Sequence, residues 1–170
     1  MKNLSTAIYV HFNELNDRGN RNAFWTDVQG KLYKGRAPEG TQFPYAVFSL
    51  VAENHTKTYA EHFRNPLIQF SLFSGYSSTD EIEDMYTDLK LLFDEAEFSI
   101  TNNELVSCRV ENAELIPEIF TTKQWTREIW HYAVDFDLQI QQHNFLTDEA
   151  LEWLAGIAWI DGTIWEDGWW

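Results

Sequence analysis

The sequence predicts an α+β fold: a mainly antiparallel sheet covered on one face by two helices, followed by a Trp-rich C-terminal extension. Two observations carry the fold class and a third sets the extension apart. Apolar residues recur every three or four positions in two segments, the repeat of one helix face. Elsewhere they alternate strictly, the repeat of a half-buried strand. The last 28 residues, 143–170, differ in charge and are dense in tryptophan. A chain of 170 residues can bury one core without disulfides or metal. The organisation expected is therefore one domain over residues 1–142 and an appended segment over 143–170.

Leu4, Ile8, His11, Phe12 and Leu15 mark the first helix, with Asn13, Glu14, Asn16 and Asp17 mostly on its other side and Gly19 as a stop. Residues 20–30 read as loop, with Phe24 and Trp25 as anchors. A short strand over Lys31 to Lys34 leads through the turn residues Gly35 to Gly40 and past Pro44 into a buried strand, Tyr45 to Val51. Tyr59 to Phe73 reads as a long strand with Ile68, Phe70 and Leu72 on one face, and Pro66 restricts it to an edge, a bulge or a break. Ser78 and Glu81 have capping-box spacing ahead of the stripe Ile82, Met85, Tyr86, Leu89, Leu92 and Phe93. Leu105 to Ile116 gives a strand with Val106, Cys108 and Val110 inward, then Pro117 and a loop through Lys123. Glu128 to Gln142 alternates most regularly and is long enough to overhang its own core. The predicted core comprises Ile8, Phe12, Val47, Phe48, Ile68, Phe70, Met85, Leu89, Val134 and Phe136.

Twelve basic against 27 acidic residues give a formal charge of −15, a field that disfavours binding phosphate backbones or anionic lipid through a basic patch. The single cysteine, Cys108, excludes an intramolecular disulfide and a cysteine-rich zinc site. Residues 1–17 lack the apolar core and cleavage site of a secretory leader, and no run approaches the length of a membrane helix.

Charge is polarised along the chain. All basic residues end at Arg127, and residues 128–170 hold nine acids with no lysine or arginine. Five of eight tryptophans, Trp153, Trp159, Trp165, Trp169 and Trp170, fall in the last 18 residues, where Thr147 and Asp148 suit a helix start running to Ala158. Aromatic rings at that density are costly to leave in water. Of two placements, folded back on their own domain or docked on another subunit or partner, the expectation is docking on another subunit or an adjoining protein with Trp153, Trp159 and Trp165 as anchors, and these five are the candidate interface residues.

Nothing in the chain spells out catalysis. A phosphate-cradling glycine loop, a nucleophile elbow and a His-Glu-x-x-His helix are all missing from the sequence. Its acidic set, Asp80, Glu81, Glu83, Asp84 and Asp88, can attract a cation, but Asp80 and Glu81 also suit a helix N-terminus and the others its solvent face. His62 and His131 can meet across neighbouring strands near Asp135, and an inward Cys108 reads as a small hydrophobe. The expectation is no catalytic residue, no metal and no cofactor.

The run from an amphipathic N-terminal helix through a short strand to Ala37-Pro38-Glu39-Gly40-Thr41-Gln42-Phe43-Pro44-Tyr45 resembles the tail terminator, or tail completion, proteins of long-tailed bacteriophages. Phe70-Ser71-Leu72-Phe73-Ser74, Ser77-Ser78-Thr79-Asp80, Leu89-Lys90-Leu91-Leu92-Phe93-Asp94 and Trp130-His131-Tyr132 follow in the family's order, over residues 3–142. The segment beyond His143 departs from that pattern. The resemblance implies a structural virion protein, made in the host cytoplasm, that caps the head-proximal end of the tail tube as a homohexameric ring. It would end tube polymerisation and present a surface for head joining. The partners implied are the tail tube protein and a head–tail connector, with DNA passing an acidic lumen for which Asp135 and Asp137 are candidates. The alternatives are another connector or minor tail protein, and, from a different class, a small α+β enzyme or ligand-binding module using the acidic helix or His62 and His131.

Overall fold

A computed structural model describes residues 2–15, 18–57, 62–121 and 126–142. The predicted extension, its helix from Thr147 and all five candidate tryptophans lie outside the described residues. The elements are α1 (Lys2–Asn13), α2 (Ala23–Asp27), β1 (Leu32–Lys34), β2 (Tyr45–Lys57), β3 (His62–Ser74), α3 (Asp80–Phe93), β4 (Asn103–Thr121) and β5 (Thr126–Gln142). One five-stranded sheet has the order β1-β2-β3-β5-β4, antiparallel throughout except for the β1–β2 pair. The predicted fold class is the one observed.

Alternation decides what each strand buries. Ala46, Phe48, Ile68, Phe70, Leu72, Val134, Phe136, Leu138 and Ile140 face α1 and α3, which contribute Leu4, Ala7, Ile8 and Phe12, and Ile82, Met85, Leu89 and Phe93. Phe70 is central: its ring centroid lies 4.9 Å from Phe93, 5.5 Å from Phe136 and 5.8 Å from Phe48. Adjacent strand residues cannot share a face, so Val47 points away from this core, against expectation, while Phe48 enters it.

Other differences have local causes. Residues 20–30 are not wholly loop: Asn22 caps α2 by accepting from the Trp25 backbone N–H at 2.7 Å, and Phe24 becomes fully buried. Gly30 follows at φ +70, with the Trp25 ring where a Cβ would stand. The first helix ends at Asn13, leaving Leu15 exposed in a bridge to Arg21. Ser78 and Glu81 do not form a capping box: Ser78 donates to Asp80, and Glu81 instead accepts from the buried Ser74 hydroxyl at the end of β3.

In the sheet Pro66 lies beside a bulge, one of the three placements expected of it, and two departures follow. Pro66 sits in a central strand, buried, opposite Glu53 and next to a bulge at Val51 that relieves the ladder. β4 runs straight through Pro117 to Thr121, because β4 is the sheet edge and a proline with no N–H costs little there. Bulges at Val106 and Glu111 reset its alternation, so Cys108 is buried as expected but Val106 is 48% exposed.

Candidate functional site

The second face of the sheet is not bare. Tyr45, Val47, Phe73 and His131 project from it, and the chain between β1 and β2, Gly35 to Pro44, folds over one end. Rings stack in sequence across three strands: Phe43 on Tyr45 at 5.4 Å, Tyr45 on Phe73 at 4.9 Å and Phe73 on His131 at 4.5 Å. The register makes this possible by setting Tyr45 opposite Phe73 and Phe73 opposite His131. His131 Nδ1 lies 2.8 Å from a Glu118 carboxylate oxygen, while its Nε2 is buried without a partner among the described residues. Burial, then the Glu118 charge, raises the Tyr45 phenol above its ordinary value.

Between the ladder and the Gly35–Phe43 loop runs an open groove of about 910 Å³, floored by Tyr45, Val47, Phe73 and Ile129. Ile129 is only 1% exposed although it lies outside the main core. Arg36 and Glu39 are the charged residues of the lining, and the Lys31 ammonium donates to the Gln42 and Pro44 carbonyls at 3.2 and 3.4 Å.

Asp135 and Asp137 project from this same face, further along β5. Gln69 donates to Asp135 at 2.9 Å, and Asp137 is exposed. His62 and His131 do not meet: His62 pairs with Gln142 and His131 with Phe73, eleven residues apart along β3. That separation removes the paired-histidine site considered for an enzyme. Cys108 stays inert, its thiol pushed up to about 12 by burial first and by the charges of Asp94 and Asp137.

The acidic helix holds a feature that sequence spacing did not suggest. Asp80, Glu83 and Asp84 are exposed, but Asp88 turns toward Asp27 of α2 rather than solvent. Asp27 rises to about 7, chiefly through burial, then through a hydrogen bond to Asp88 and the charges of Asp88, Asp84 and Glu81. Its Oδ2 is buried with no donor among the described residues, so one proton shared by the two carboxyls satisfies the pair. Among the described residues no group of three or more ligating side chains converges on a cation position.

The acid pair gives a pH prediction. A carboxyl whose folded value exceeds its unfolded one contributes stability that is full below about pH 4 and lost as pH rises through about 7. Asn in place of Asp27 keeps a permanent donor toward Asp88. Since the pair is only partly buried and water still screens it, Asp27→Asn should gain about 1–2 kcal/mol at pH 8 and little at pH 4. Urea unfolding at both pH values checks it, and parallel pH profiles for the two proteins would contradict it.

Compared with known proteins, the chain matches no family model and no curated protein. Among solved structures it is similar to a chain of the "virion of native gene transfer agent (GTA) particle", at 12% identity and a TM-score of 0.63, over 82% of this chain and 96% of that one. At that identity the likeness is one of fold, and it spans almost the whole of the other chain.

Proposed function

We propose that the chain is a structural virion component of a phage-type tail, and within it the terminator that caps the head-proximal end of the tube as a homohexameric ring. The observation that carries the reading is the fold shared with a chain of a gene transfer agent virion over 96% of that chain's length. The sequence resemblance to tail terminators points the same way. On this reading the protein works by shape and self-association rather than by catalysis, with the tube protein and a head–tail connector as neighbours.

The edges of the sheet support a ring. Among the described residues β1 covers only Ala46–Phe48 of β2, no strand pairs with the outer edge of Ser49–Lys57, and at the opposite side β4 has no neighbour beyond β5. Two open edges on opposite sides of one subunit suit head-to-tail strand pairing, the geometry that closes into a ring. Apolar residues sit on both projections: Leu50 and Val51 on β2 are 40% and 54% exposed, and Ile119 on β4 is 72% exposed. In the ring, Asp135 and Asp137 would border the lumen and repel passing DNA. Reconstruction of particles carrying the chain tests the reading, which requires density for this fold at the head-proximal tube end.

A further inference from the structure

We propose that the groove beneath the Gly35–Phe43 loop is the seat of the chain's own C-terminal segment, residues 143–170, whose tryptophans Trp159 and Trp165 pack against Tyr45 and Phe73, with Trp153 on the approach. This placement stands apart from the virion reading, since it concerns one chain and its own groove.

The floor is chemically suited to indole. It is apolar and ring-lined, and Trp adds to stacked Tyr and Phe rings by offset or edge contacts. At about 910 Å³ the groove falls within the range of pockets that enclose ligands of drug size, roughly 300–1,000 Å³. The lining is electrically balanced. In a chain of net −15 the groove lining holds one acid, Glu39, against Arg36, with Lys31 anchoring the loop. Residues 143–170 contribute six acids and no lysine or arginine. A tryptophan-rich segment therefore meets the groove with its rings complemented, and its acids meet a lining that is balanced rather than acidic.

Length agrees with this. β5 ends at Gln142, eleven residues beyond His131, which stacks on the ladder at the groove's level. Trp153 stands eleven residues beyond Gln142 in turn. With the helix expected over Thr147 to Ala158 rising about 1.5 Å per residue, a segment doubling back along the open face reaches the ladder near Trp159, with Trp165 beyond it and Trp153 on the approach.

The test uses the full-length chain, in which the buried Cys108 is a silent thiol. One cysteine is placed on the exposed groove rim, Gln42→Cys, and one between the tryptophans of the segment, Gly162→Cys, and the pair is joined with a short bis-maleimide. The control replaces the rim site with Glu97→Cys, exposed in the segment between α3 and β4. Docking raises the local concentration of the two thiols, so the rim pair should close within single chains at least ten-fold faster than the control. Adding Trp153→Ala, Trp159→Ala and Trp165→Ala should bring it down to the control rate. Equal rates for rim and control, links that form only between chains, or a rim rate indifferent to the three tryptophans would each overturn the proposal.

Discussion

Phe70→Ala should lower the unfolding free energy by about 4 kcal/mol, the range for removing a large aromatic from a core that cannot collapse onto the gap. Phe70 is 2% exposed and its ring meets Phe48 from β2, Phe93 from α3 and Phe136 from β5, so its loss opens a cavity at the junction of three elements. For a domain of total stability of about 5–15 kcal/mol, that is a large fraction of the whole. At about 2–4 °C per kcal/mol for this size, the thermal midpoint should fall by roughly 10 °C. Leu91→Ala, at a position 77% exposed on the same helix as Phe93, should stay within about 0.5 kcal/mol of the parent. Urea unfolding of the two variants decides the matter, and a loss below about 1 kcal/mol for Phe70→Ala would mean the helices do not share one core with the sheet.

The second large effect is on assembly rather than folding. Leu50→Lys combined with Ile119→Lys places a charge on each projecting edge, at positions 40% and 72% exposed in the single chain. Surface changes of this kind cost little in an isolated domain, so the thermal midpoint should move by no more than about 2 °C. If the edges join neighbouring subunits, each copy loses two apolar contacts and has two ammonium groups forced toward an interface. At about 1.5 kcal/mol or more for each lost side chain, association should weaken at least about 100-fold. Incorporation of the double variant into particles, measured by quantitative mass spectrometry beside the parent chain, should be lost. Normal incorporation would exclude both projections as contact surfaces.

How far the fold was legible depended on whether a signal was local. The stripes Ile82-Met85-Leu89 and Ile68-Phe70-Leu72 announce their elements because periodicity and burial coincide, and both are buried as read. Val106 was misplaced because a bulge adds one residue and shifts the alternation, which no propensity encodes. Pro117 reads as a strand end only if the strand is internal, and edge position emerges from topology, not from the residue itself. α2 was missed because five residues are too few to show a helical period, although Asn22 is its cap. At the candidate site, Tyr45 and Phe73 were visible as strand residues but their stacking with Phe43 and His131 needs the register across three strands. Asp27 and Asp88 lie 61 positions apart on two helices, a distance over which spacing carries no information.

The proposal that this chain terminates a tail tube is tested by the position and copy number of the chain in particles that contain it. Subunit-resolution reconstruction of those particles, with copy number checked by quantitative mass spectrometry, should show a single ring of six copies at the head-proximal end of the tube, their sheets joined edge to edge. The same fold distributed along the tube, or no copy in finished particles, would exclude a terminator.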